Sequence, residues 1–237
     1  MFTTTNKVKD ARLSVIVYGE PGSGKTTLTK TLPKPLLINA ENGYLSLKDQ
    51  AIDVYDITVD KEGNALDRKY RFEKLIFLLK NLNEEQYKKK YSWLVFDSLT
   101  EISQCLVEYL KAKHPDAKDA LKLWGDYNAM MQDLVKSLRD FAPYNIMVLA
   151  LESIDKDDVG RRFVGIDVNG KISNRIPAMF DECFHLREFT NDEGEKKRFL
   201  VTSKYENNIA KDRSGKLAQF EEPNMQAIIN KINSKGE

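Results

Sequence analysis

Cysteine and histidine are scarce in this 237-residue chain. There are two of each, the cysteines being Cys105 and Cys183, and no C-x-x-C pair occurs. A Cys/His zinc site is therefore excluded, and so is a disulfide framework, which suits a reducing, cytoplasmic setting. Long apolar runs are also missing. The longest, Ile146–Leu151 and Leu75–Leu79, fall far short of the ~20 residues a spanning helix needs, so no membrane role is expected. Met1–Lys9 is polar and lacks the apolar core of a signal peptide. Charge of one sign is absent too. Lys+Arg 37 against Asp+Glu 36 leaves +1, and global charge alone points to neither nucleic acid nor membrane. Binding to a polynucleotide would need a local basic patch or one assembled across subunits.

What is present is enough apolar residue, 41%, to bury a substantial core. No repeat or low-complexity linker divides the chain, so residues 1–237 are expected to form a single domain. Short runs rich in Val, Ile and Leu predict strands at Leu13–Tyr18, Leu36–Ala40, Asp53–Thr58, Trp93–Phe96 and Ile146–Leu151. Helical spacing appears in Phe72–Leu82, in Ile102, Cys105, Leu106, Tyr109 and Leu110, and again from Trp124 to Leu138. Asn83–Lys90, polar and lysine-rich, reads as a surface turn. Cys183–Arg187 and Arg198–Thr202 flank the turn signal Asn191–Gly194, which predicts a hairpin. Pro223 is placed to open a last helix through Met225, Ile228, Ile229 and Ile232. The alternation predicts an α/β fold with a mostly parallel central sheet flanked by helices and an antiparallel hairpin near the C-terminus.

The strongest signal is Gly19-Glu20-Pro21-Gly22-Ser23-Gly24-Lys25-Thr26, a full match to G-x-x-x-x-G-K-[ST]. It follows an apolar strand and precedes a helix expected to begin near Thr27. Backbone N–H groups of such a turn form a nest for phosphate oxygens. Lys25 would supply a cation to the β- and γ-phosphates, and Thr26 would ligate Mg²⁺. A glycine-rich turn with an accidental lysine is the bland reading, and both flanks oppose it. The expected ligands are therefore ATP or a close relative, with Mg²⁺. Asp97 closes the apolar strand Trp93–Phe96 in the pattern called Walker B, where a carboxylate faces the crevice at the strand ends and can hold the metal's water shell.

Asp97 is followed by Ser98, not by a catalytic glutamate, so a base must lie elsewhere, and Glu41 after Leu36-Leu37-Ile38-Asn39-Ala40 offers one. That segment resembles the strand-plus-Glu element of RecA-type recombinases, and Trp93–Leu99 (WLVFDSL) resembles their Walker B. Lys211-Asp212-Arg213-Ser214-Gly215 resembles the K-x-R-x-G finger of DnaB-type helicases and RadA-like recombinases. The whole pattern is similar to the compact RecA-like ATPases of bacteriophages. The resemblance implies an ATPase of phage recombination, annealing or replication that acts on single-stranded DNA, sometimes beside a single-strand annealing or binding protein. It also implies a homo-oligomer in which Lys211 and Arg213 reach a neighbour's γ-phosphate.

Two departures stand out. Ile146–Leu151 ends at Glu152, where RecA-type proteins usually carry an amide that senses the γ-phosphate; an acid there repels phosphate unless it meets a cation. The segment Ser153–Lys171, which faces DNA in that family, holds Lys156, Arg161, Arg162 and Lys171 against Asp155, Asp157, Asp158 and Asp167, so its charges cancel. A solvated loop is the alternative reading. Two other functions stay open on sequence alone. One is a P-loop nucleotide or metabolite kinase with Arg161, Arg162 and Arg175 as lid arginines. The other is a nucleotide-gated binding protein with little turnover.

Overall fold

A computed structural model describes residues 12–41, 43–114, 120–156 and 160–234. Met1–Lys9, Asn42, Asp157 and Asp158 lie outside the described residues. The parallel sheet is built from β1 (Ser14–Gly19), β2 (Pro35–Asn39), β3 (Asp53–Asp56), β4 (Trp93–Asp97), β5 (Asn145–Lys156) and β7 (Glu182–Thr190), with β6 at Arg162–Ile166. Their order across the sheet is β7-β1-β5-β4-β2-β3. Beyond β7, β8 (Lys196–Val201) and β10 (Phe220–Glu221) continue antiparallel, and β9 (Lys211–Asp212) pairs with Glu182 and Cys183 of β7 on the edge away from β1. The fold is thus α/β, with a mostly parallel sheet and an antiparallel hairpin, as expected.

β1 is buried along its whole length. Its alternating side chains feed two cores, as the two-residue period of a strand requires. Ile16 and Tyr18 pack with Ile38, Phe96 and Val148 beneath α1 (Arg68–Asn81), α3 (Leu99–Lys113) and α4 (Ala120–Arg139). Val15 and Val17 face the other way, among Leu37, Val95, Leu28 and Met225 of α6 (Met225–Asn233). A strand covered on both faces reads as an unbroken apolar run, which is why these strands are visible in the sequence.

Several elements differ from expectation. The segment after the glycine loop is a six-residue 3₁₀ helix, Thr26–Thr31. Four of those six residues are threonine, whose β-branched side chains are stiff and whose hydroxyls compete for backbone groups; Thr31 Oγ1 donates to Leu28 O at 2.7 Å. The lysine-rich stretch expected as a turn contains α2 (Glu85–Lys90), with Glu85 in its first turn and Lys88, Lys89 and Lys90 in its last, as the helix dipole favours. β5 does not stop at Leu151 but runs to Lys156 and pairs antiparallel with β6, so Ser153–Lys171 is largely a hairpin. Pro223 stands before the cap of α6, and the Asn224 side chain accepts from Ala227 N at 3.2 Å.

β1 and β7 approach closely where the glycine loop begins. A Cβ on Gly19 would lie 2.4 Å from the carbonyl oxygen of Leu186. Gly19→Ala should therefore lower stability by about 1–3 kcal/mol, the range for forcing atoms into a packed site. Gly125→Ala, inside α4 with open space around it, should raise it by about 0.5–1 kcal/mol. Urea unfolding midpoints of the two variants should move in opposite directions; a shared direction would contradict this packing.

Candidate functional site

The glycine loop leaves the carboxyl end of β1, and Gly22 and Gly24 adopt φ of 77° and 101°. These left-handed conformations suit glycine, and Ser23 N donates back across the turn to Glu20 O at 3.2 Å. Lys25 is buried, and its Nζ donates to the carbonyls of Gly19 and Glu20 at 2.9 and 2.8 Å. Burial draws its pKa below the ordinary lysine value, while the nearby carboxylates of Asp97 and Glu41 oppose that shift. Ser23 Oγ is buried without a hydrogen-bond partner. Glu20 and Pro21 are exposed on the loop, and Thr27 follows Thr26 into the 3₁₀ helix. With so short a helix, the phosphate cradle depends on the loop N–H groups and Lys25 far more than on a helix dipole.

β4 and β2 bring the acids to the same place. Asn39 and Asp97 are paired at the carboxyl ends of the two strands, and Ala40 N donates to Asp97 O at 2.6 Å. Thr26 Oγ1 donates to Asp97 Oδ2 at 2.5 Å. Burial pushes the Asp97 carboxyl up to about 6; the Thr26 hydroxyl opposes this and the Glu41 charge adds to it. The hydroxyl and carboxylate stand together as the oxygen donor pair a Mg²⁺ ion takes from protein, so these residues fit the expected metal. Glu41 is exposed at the end of β2 and accepts a hydrogen bond from Ser98 Oγ, which also accepts from Glu101 N at 3.2 Å as the cap of α3. Lys25, Thr26, Asp97 and Glu41 are therefore brought together.

Glu152 has found a basic partner. Its Oε2 lies 2.8 Å from Nε2 of His185, which is buried and stacked on Tyr18 with ring centroids 4.7 Å apart. The acid at this position is turned toward the imidazole. The Tyr18 hydroxyl in turn donates to Ile209 O at 2.6 Å and accepts from Ile209 N at 3.0 Å.

Lys211 and Arg213 are not at this chain's loop. Arg213 Nη1 meets Asp181 Oδ1 at 2.5 Å, and Asp181 is bonded to Ser14 at the start of β1. Gly19 is five residues further along the strand, roughly 16 Å at the usual rise. Arg213 is 56% exposed, whereas Lys211 donates to the carbonyls of Phe180 and Ala178. The three arginines of the kinase reading do not converge: Arg161 and Arg162 line one cavity and Arg175 another. One residue near the loop escaped the sequence reading. A Cβ on Gly24 would lie 3.3 Å from Nη1 of Arg198, on β8. Its signal was faint: in the alternation of a strand, Arg198 shares a face with Leu200, which packs on the loop's side of the sheet.

A glycine loop at the end of the central strand, a buried lysine and a paired threonine and aspartate define a P-loop ATPase. Residues 11–214 match the AAA domain family, and the chain belongs to it. No curated protein matches the sequence. Among solved structures, the chain is similar to the flagellar accessory protein FlaH from Methanocaldococcus jannaschii, with 12% identity and a TM-score of 0.41 over 84% of this chain and 82% of that one. A type III secretion system ATPase of pathogenic bacteria matches at 14% identity and a TM-score of 0.46, over 74% of this chain and 52% of the other. The ATPase EscN of enteropathogenic E. coli matches at 15% and 0.43, over 74% and 43%. The chain thus spans about half or less of the two secretion ATPases. Among the described residues, no helix is long and apolar enough to cross a membrane.

Two substitutions check the site. Lys25→Ala should abolish ATP binding or turnover with unchanged circular dichroism, and Asp97→Asn should weaken the magnesium dependence of turnover. Wild-type hydrolysis by the first, or an unaltered magnesium titration in the second, would remove that residue from the site.

Proposed function

We propose that this chain, working as one RecA-like domain, hydrolyses ATP between neighbouring subunits assembled on single-stranded DNA. The observation that carries the reading is the convergence of Lys25, Thr26, Asp97 and Glu41 at the carboxyl end of the sheet, where α/β folds bind ligands. The loop N–H groups and Lys25 hold the phosphates. Thr26 and Asp97 would hold Mg²⁺, which draws charge from the β- and γ-phosphate oxygens. Glu41, steadied by Ser98, accepts a proton from the attacking water.

Arg213 completes the site from the next subunit. The Ser14 to Gly19 span keeps it from its own P-loop, and its exposed guanidinium, always charged, suits phosphate oxygens. Support for a polyanion partner comes from a cavity of 640 Å³ beside the β5–β6 hairpin. Lys156, Arg161, Arg162 and Lys204 line it, with Glu206 the one acid among the described lining residues and itself paired to Arg187. On the resemblance to phage ATPases, the protein serves recombination, annealing or replication in the host cytoplasm, with a single-strand binding protein as a further partner.

Glu41→Gln should keep nucleotide affinity and slow hydrolysis on the order of 10²-fold. Unchanged turnover would place the base elsewhere. Arg213→Ala should bind ATP normally yet lose stimulation by single-stranded DNA, a defect worth roughly 10³-fold in rate for such fingers; Lys211→Ala should show a milder form. Mixing the inactive Lys25→Ala and Arg213→Ala proteins should restore activity, because one supplies an intact P-loop and the other an intact finger. If the mixture assembles but stays inactive, the finger does not act between subunits.

A further inference from the structure

The β7–β8 hairpin does more than extend the sheet. Tyr18 of β1 is level with His185 of β7, so Leu186 stands beside Gly19 and the strand then continues past the sheet's end. Glu188 and Arg198 face each other across that overhanging part, on the same side as Leu186 and Leu200. The guanidinium of Arg198 comes to rest against Gly24, in the left-handed turn of the glycine loop. Its partner there is weak. Arg198 Nε is 3.4 Å from Glu188 Oε2, and Glu188 is shared with Lys196 at 2.8 Å. With 47% of the arginine side chain exposed, this ion pair adds little and yields readily to a better acceptor.

We propose that Arg198 is a phosphate-binding residue acting on the nucleotide in its own chain's P-loop. The inference rests on the nucleotide reading above and adds an arginine in cis to one in trans. A phosphate seated on the loop presents several charged oxygens to a planar fork that Glu188 holds only at long range, and guanidinium–phosphate hydrogen bonds are the stronger kind. Ser23 Oγ, buried and unpartnered, is a further donor on the same loop. Binding would move Arg198 from Glu188 to the ligand and leave Glu188 with Lys196. The hairpin would thereby close on the loop from the side opposite β5.

Calorimetric titration with Mg²⁺·ATP and with inorganic tripolyphosphate tests this without reference to turnover. Arg198→Ala should weaken both ligands roughly 10- to 100-fold, the effect of losing a charged hydrogen bond, and Arg198→Lys should recover part of the loss. Lys197→Ala removes the same charge from the hairpin's other face and should leave both affinities within about twofold. Glu188→Gln keeps the arginine while freeing it, and should bind ATP at least as tightly as wild type, a result independent of how well Arg198→Ala folds. Arg198→Ala binding like wild type while Lys25→Ala does not would overturn this inference alone. A loss for ATP without a loss for tripolyphosphate would place Arg198 at the base and overturn it too. Absence of ATP binding by the wild type would instead defeat the nucleotide reading itself.

Discussion

The contact between Gly19 and the Leu186 carbonyl sets the position of everything around the loop. β1 is buried on both faces and hydrogen-bonded on both edges, to β5 and to β7. It has no freedom to slide, because a one-residue slip would exchange its two cores. The loop therefore leaves the sheet at a fixed point. Asp97 is carried to that point by β4 and Glu41 by β2, each on a strand locked into the same parallel register. Rigid strands place the chemistry; the loops between them supply the donors.

The electrostatics of the site are out of balance on purpose. Asp97, Glu41 and Glu152 all act on Lys25, the one lysine buried among the described residues, while burial works against its charge. Hydrogen bonds relieve part of this: Thr26 on Asp97, Ser98 on Glu41 and His185 on Glu152. Each acid thus has one neutral or basic neighbour of its own, and none forms a direct ion pair with Lys25 among the described residues. The lysine's donors go to loop carbonyls, which are far weaker competitors for it than a carboxylate would be.

The parts legible in the sequence were those governed by local rules. β1, β2, β4 and β5 announced themselves as apolar runs, and the P-loop motif located itself between strand and helix. The parts that were not legible depend on distant pairing. Ser153 to Lys156 alternate without an apolar face, and their strand character comes from Arg162–Ile166 lying alongside. The Thr26–Thr31 turn is too short for periodicity to reveal its type. Arg198 opened a predicted strand and looked like any solvated charge; no reading of neighbours along the chain could set it against Gly24. His185 was equally silent, since its partners Tyr18 and Glu152 come from two other strands.

Arg213 and the P-loop lie at opposite ends of the same sheet. A contact that joins them across two copies can be met in two ways. Copies related by a two-fold make it reciprocally, loop to arginine and arginine to loop, whereas copies set head to tail make it between unlike surfaces, a heterologous contact. The heterologous contact repeats until a rotation closes it into a ring, or it runs on as a filament with one end showing bare loops and the other bare arginines. In the open case the terminal subunit lacks a finger, so the assembly has a direction and an end that differs chemically from its interior.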